Sequence, residues 1–67
     1  MSESILEPFA SEATRFVTEA RSRGQTLAVT DVLHHLGQWA RERELVHDLA
    51  TKKFAVSTFA TALLKSP

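Results

Sequence analysis

A single amphipathic helix near the N-terminus constrains this chain more than any other feature. Leu6, Phe9, Ala13, Phe16 and Ala20 recur at alternating steps of three and four, which places them on one face of a helix. An apolar face of this kind is stable in water only when other apolar surface covers it. The sequence therefore predicts a helical domain in which this stripe packs against further helices or against a partner.

The same helix carries signals at both of its ends. Ser4 and Glu7 have capping-box spacing, and Pro8 also suits a first helical turn. The two signals therefore place the start of the helix at positions about one turn apart. Gly24 suits the left-handed position that follows the last turn of many helices. We expect this first helix to cover about residues 5–23.

The remainder of the chain also has helical periodicity, interrupted by turn-forming residues. Thr30 and Ser57 are suitable N-caps, and Gly37 is expected to bend or end the second helix. We expect a connector over residues 25–29 and two helices, over 31–36 and 38–50, separated at Gly37. A turn over 51–54 and a last helix over 58–65 follow.

These elements predict an all-α fold, a small bundle of three to four short helices. One helical domain accounts for residues 1–67, either as the whole protein or as a fragment of a longer chain. The expected core consists of the large apolar residues on the inner faces of these helices: Phe9, Phe16, Leu36, Trp39, Val46, Phe59 and Leu63.

The short length of the chain and its lack of cysteine favour self-association. A domain of 67 residues buries only about 60% of its unfolded surface, so disulfides, a metal or oligomerisation usually supply additional stability. The sequence contains no cysteine, which excludes disulfides and thiolate zinc sites and fits a cytoplasmic location. A homodimer, or docking on another protein, would cover the long stripe of the first helix.

The charge balance and hydropathy argue against two classes of partner. Eight basic residues balance eight acidic ones, so the chain has no strong field to attract nucleic acid or an anionic membrane. No apolar run approaches the ~20 residues of a membrane-spanning helix, and the acidic N-terminus does not resemble a secretory signal. We expect no membrane partner.

Two carboxylate–histidine pairs have the spacing of metal ligands on a helix. Asp31 with His34, and Glu44 with His47, each lie one helical turn apart, as in helical di-iron sites. The pairs are thirteen residues apart, about 20 Å along a straight helix, so they do not form one site. The sequence also lacks a glycine-rich phosphate loop. We expect no metal, no cofactor, no small-molecule substrate and no enzymatic activity.

Residues 49–64 resemble the core of a helix-turn-helix unit, with a small turn followed by a Val-Ser entry into a second helix. The resemblance implies that the start of this helix contacts bases in the major groove while nearby lysines contact phosphates. The residues implied in DNA binding are Lys52, Lys53, Ser57, Thr58, Thr61 and Lys65. The second helix carries no arginine, asparagine or glutamine, the side chains that make bidentate base contacts.

The aromatic residues favour protein binding over DNA binding. Aromatic side chains are typical anchors of protein interfaces, and three of them are candidate interaction residues: Phe9, Phe16 and Trp39. The predicted function is a small non-enzymatic interaction domain or regulator that self-associates or binds another protein. A DNA-binding regulator of the helix-turn-helix kind is the alternative.

Overall fold

The structure, a computed structural model, describes residues 6–66. These residues form four helices and no strand, so the predicted all-α fold is confirmed. The helices are α1 (Leu6–Ser22), α2 (Val29–Glu42), α3 (Val46–Thr51) and α4 (Lys53–Lys65). The capping box predicted from Ser4 lies outside the described residues.

The end of α1 follows the prediction made from Gly24. This glycine has a φ of 76°, a left-handed conformation that costs little without a Cβ. The Gln25 N–H donates to the Ala20 carbonyl at 2.9 Å, and the Gly24 N–H donates to the Arg21 carbonyl at 3.0 Å. These two bonds form a Schellman motif, which satisfies the last carbonyls of the helix.

Gly37 does not interrupt α2, so the predicted bend at this position is wrong. Val32, Leu36 and Ala40 are fully buried on one face that extends to both sides of the glycine. Packing of this face outweighs the roughly 1 kcal/mol that an interior glycine costs a helix. The start also differs from the expected cap at Thr30, because the Asp31 carboxylate accepts a hydrogen bond from the Ala28 N–H at 2.9 Å.

The predicted helix over residues 38–50 is divided in two, because α2 ends at Glu42. Glu44 adopts a φ of 58°, and the Leu45 N–H donates to the Ala40 carbonyl at 2.7 Å. This is again the geometry of a Schellman motif, with glutamate at the position where glycine is usual. No glycine marks this helix end in the sequence, which is why it was not predicted.

The predicted turn over residues 51–54 is also wrong. Thr51 belongs to α3, Lys52 alone separates the two helices, and α4 begins at Lys53. The Val56 N–H donates to the Lys52 carbonyl at 2.9 Å, so helical hydrogen bonding begins before the predicted cap at Ser57. Burial of Val56 holds this first turn against the core.

The core is formed by α1, α2 and α4, with α4 packed against both of the other two helices. The fully buried apolar residues are Phe9, Ala13, Val17, Ala20, Val32, Leu36, Ala40, Val56 and Ala60. Of the predicted core residues, Phe16, Trp39, Phe59 and Leu63 are partly buried against this cluster. Val46 is 49% exposed, so its predicted core position is wrong.

The apolar stripe of α1 is covered within the chain itself. Phe9 and Ala13 have no exposed surface, and Ala20 is 3% exposed. Alanines at the contacts allow the helices to approach closely, so two neighbouring helices suffice to bury the stripe. Of the two ways in which the sequence allowed this stripe to be covered, the structure shows packing against further helices, and self-association stays a prediction.

Candidate functional site

Two surfaces flank α2, and the first is a polar cluster between α1 and α2. We call Glu12, Arg15 and His35 the polar seam. Arg15 donates from Nε to Glu12 Oε1 at 3.0 Å and from Nη2 to Glu12 Oε2 at 2.7 Å. His35 Nε2 lies 2.7 Å from Glu12 Oε2, which links the two helices directly.

The electrostatics of the polar seam fix its protonation state. The hydrogen bonds from Arg15 chiefly, assisted by His35 and opposed by burial, lower the pKa of Glu12 from 4.5 to about 2. Glu12 is therefore ionised at neutral pH and can only accept hydrogen bonds, so His35 Nε2 must carry a proton. The same pairing raises the pKa of Arg15 further above its ordinary value.

Aromatic rings pack beside the polar seam. The Phe16 ring stacks on His35 with centroids 4.0 Å apart and an interplanar angle of 4°. Phe9 meets Trp39 edge to face at 5.7 Å, and the Arg43 guanidinium lies 4.7 Å from the centre of the Trp39 ring. These contacts are internal to the chain.

The structure leaves the three predicted interaction anchors with unequal access to a partner. Phe9 has 0% exposed surface, so it has none to offer to a partner. Phe16 and Trp39 are partly buried against the core and engaged with His35 and Arg43. An open groove of about 350 Å³ lies above the polar seam, and none of the residues that line it carries a hydroxyl or a thiol.

The second surface is an apolar groove on the other side of α2. From α2 it is lined by Thr30, Leu33, His34 and Gly37, and from the opposite wall by Val46, Leu49, Ala50 and Lys53. Each wall has the spacing i, i+3, i+4, i+7, which is one face of a helix. This α2–α3 groove has a volume of about 410 Å³.

The most exposed large apolar side chain of the described residues belongs to the residue that follows the last groove-lining residue in the sequence. Phe54 follows Lys53 directly and is 86% exposed in the first turn of α4. None of the six residues of α3 is fully buried, so the outer wall of the groove is only shallowly anchored. Sequence reasoning missed this surface because the two walls are separated by the unpredicted helix end at Glu44.

Gly37 forms part of the α2–α3 groove without serving the packing of the chain. A Cβ placed on this residue would meet no atom within 4 Å, and its backbone is helical. The fold therefore does not require glycine at this position, in contrast to Gly24 with its φ of 76°.

The carboxylates and histidines of the two predicted pairs have other surroundings. Asp31 caps the start of α2, and Glu44 occupies the left-handed turn before α3. Across residues 6–66, no group of three or more His, Cys, Asp or Glu side chains lies close enough to hold a metal ion. The close pair is instead Glu12 with His35, and one signal was available in the sequence: Glu12 is a charged residue on the apolar face, at i+3 from Phe9.

The residues implied in DNA binding are distributed along α4. Lys52 and Lys53 are exposed and adjacent at the α3–α4 junction, whereas Lys65 lies at the other end of the helix. The Thr58 and Thr61 hydroxyls donate to backbone carbonyls one turn earlier, each at 3.0 Å. The predicted role of these residues in DNA binding is untested by this geometry and stays a prediction.

Comparison with protein-family models, with curated proteins and with solved structures finds no match to this chain. Within residues 6–66, no helix has the length and apolar character needed to cross a bilayer. The functional interpretation therefore depends on the two surfaces that flank α2.

Proposed function

We propose that this chain is a small non-enzymatic protein-binding domain whose binding surface is the α2–α3 groove together with Phe54. The exposure of Phe54 carries the proposal, because an 86% exposed phenylalanine beside an apolar groove stabilises nothing in the isolated fold. Exposed apolar patches next to a groove are typical of interaction sites.

The shape of the groove supports a helical ligand. One wall is a face of α2, and the other combines α3 with Lys53 of α4; in both, the lining residues repeat at the helical spacing over about two turns. Amphipathic helices bind such grooves with their apolar face, using anchors at i, i+3, i+4 and i+7. Aromatic side chains at the edge, such as Phe54, commonly dominate the binding energy.

The polar seam supports the non-enzymatic part of the proposal. Glu12 accepts from both Arg15 and His35, so its carboxylate is engaged within the fold and is not free to act as a base. None of the residues that line the groove above the polar seam carries the hydroxyl or thiol nucleophile that serine, threonine or cysteine would supply. The proposal includes a cytoplasmic location and no cofactor.

Photo-crosslinking tests the proposed surface. The chain carries p-benzoylphenylalanine at position 54 in the cells that naturally express it, and the matched control carries the same group at Thr18, an exposed residue of α1. We expect a discrete adduct from position 54 that is absent from position 18. Identical adducts from both positions, or none from position 54, would contradict the proposal.

The adjacent lysines at the α3–α4 junction favour DNA binding as the second candidate. Lys52 and Lys53 are both exposed beside the N-terminal end of α4, where the helix dipole also attracts phosphate. Replacing both with glutamate should abolish binding to duplex DNA if this candidate is correct, and the wild-type affinity should fall steeply with salt. The protein-binding proposal predicts no salt-sensitive shift for either protein.

A further inference from the structure

We infer that the α2–α3 groove binds a second copy of this chain, with Phe54 of each copy inserted into the groove of the other. The inference rests on the proposed function, since it names the occupant of the same surface. It describes a two-fold symmetric dimer in which one patch serves as both ligand and receptor.

The position of Phe54 makes this patch self-complementary. Lys53 forms one end of the groove, and Phe54 is the next residue of the same helical turn. Phe54 itself does not line the groove, but its projecting ring starts from the residue after Lys53, at the end of the apolar groove. A two-fold axis beside the first turn of α4 can place both aromatic rings into both grooves at once, because in an isologous interface every contact forms twice.

Gly37 gives the groove room for that ring. Any larger residue at this position would project a Cβ into space that the chain itself leaves open. Glycine in a helix interior costs about 1 kcal/mol relative to alanine, so the fold alone favours a different residue here. Close approach of another chain is a use that this glycine can serve.

The surface area and the charges are both compatible with a dimer. A stable interface buries at least about 600 Å² from each partner. That is roughly one eighth of the 4588 Å² that the chain exposes. The segment 44–54 carries two acidic residues, Glu44 and Asp48, and two basic ones, Lys52 and Lys53. The segment as a whole is neutral, so it brings no net charge to an interface between two copies.

Sedimentation equilibrium from about 1 µM to about 1 mM tests the inference, since mass action makes a dimer concentration-dependent. The wild-type chain should reach twice its 7.5 kDa monomer mass and no more. Phe54→Ser removes the ring and Gly37→Gln fills the groove, and each should raise the dissociation constant at least tenfold. The matched control Ala62→Ser changes an exposed residue two turns further along α4 and should leave the constant unchanged.

Circular dichroism accompanies each variant, because both substitutions should leave the helical content of the monomer intact. A wild-type chain that stays monomeric throughout would overturn the second copy as occupant, while an adduct from position 54 to another protein would still support the proposed function. A dimer unaffected by Phe54→Ser and Gly37→Gln would overturn this interface. A mass that grows beyond the dimer would overturn the two-fold arrangement in favour of head-to-tail association.

Discussion

The two flanks of α2 differ in how many of their side chains have a bonding or packing partner within the chain. On the α1 side, Arg15 and His35 both bond to Glu12, and the Phe16 ring stacks on His35. On the α3 side, Gly37 leaves open space and Phe54 projects into solvent. The polar seam contributes to folding, whereas Gly37 and Phe54 contribute little to it, although Leu33 and Leu49 of the α2–α3 groove pack against the core.

If the proposed function is correct, conspicuous chemistry is not a guide to function in so small a domain. A charged triad with a perturbed pKa resembles a reactive site, but here both donors serve one carboxylate. Structural ion-pair networks perturb pKa values just as active sites do. An unpartnered apolar face is the more informative feature, because folding gives no reason to keep it.

Between the two flanks of α2, the larger effect is expected at the polar seam. Glu12→Ala leaves Arg15 and His35 without their shared acceptor and should lower the free energy of unfolding by about 2–3 kcal/mol. Glu19→Ala is the control, since its bond to Arg15 is exposed and worth less than about 0.5 kcal/mol. Urea unfolding at pH 7 measures both. Equal effects of the two substitutions would show that burial of Glu12 confers no advantage.

Acid should weaken the same flank of α2. The pKa of Glu12 in the folded chain is depressed from 4.5 to about 2, so its contribution is fully present above about pH 4.5 and is lost as the pH falls towards 2. The difference in free energy of unfolding between the wild type and Glu12→Gln should therefore become smaller as the pH falls through this window. Urea midpoints of the two proteins at pH 2–6 provide the test, and a constant gap would contradict the stated pKa.

A smaller effect of opposite sign is expected in the groove. Gly37→Ala adds a Cβ that meets no atom, so it should raise the free energy of unfolding by about 0.5–1 kcal/mol. Gly24→Ala is the matched control and should destabilise, because an L side chain is strained at a φ of 76°. Thermal unfolding at low micromolar concentration, where the monomer dominates, distinguishes them. Destabilisation by Gly37→Ala would show that the fold itself uses this glycine.

The smallest effect is expected from Phe54→Ser. Loss of an 86% exposed ring should change monomer stability by less than about 0.5 kcal/mol. Phe9→Ala, which empties a fully buried site, should cost roughly 3–5 kcal/mol by comparison. The two variants are compared by urea unfolding at low protein concentration. A large loss from Phe54→Ser would mean that this ring packs in the folded monomer after all.

Helical periodicity and one glycine predicted the fold class and the end of α1, because Gly24 is a cap whose chemistry is visible in the sequence. The helix break predicted at Gly37 was wrong, because burial of Leu36 and Ala40 outweighs the low helix propensity of glycine. The helix end at Glu44 was not predicted, because this glutamate adopts a left-handed conformation that sequence patterns assign to glycine.

The two surfaces differed in how far the sequence could reveal them. The pairing of Glu12 with His35 joins residues 23 positions apart, which no local pattern encodes. The walls of the α2–α3 groove do repeat at helical spacing, from Thr30 to Gly37 and from Val46 to Lys53. They could have been recognised only if the helix end at Glu44 had been placed correctly.

Amide chemical shifts in a dilution series test the central claim most directly, because they report each flank of α2 separately in one sample. The α2–α3 groove is followed through Leu33, Gly37 and Phe54, and the polar seam through Glu12 and His35. We predict concentration-dependent shifts at the groove and constant shifts at the seam. Shifts confined to the seam, or no shifts up to about 1 mM, where weak dimers with millimolar dissociation constants become populated, would contradict the assignment of the groove as the surface that binds a second copy.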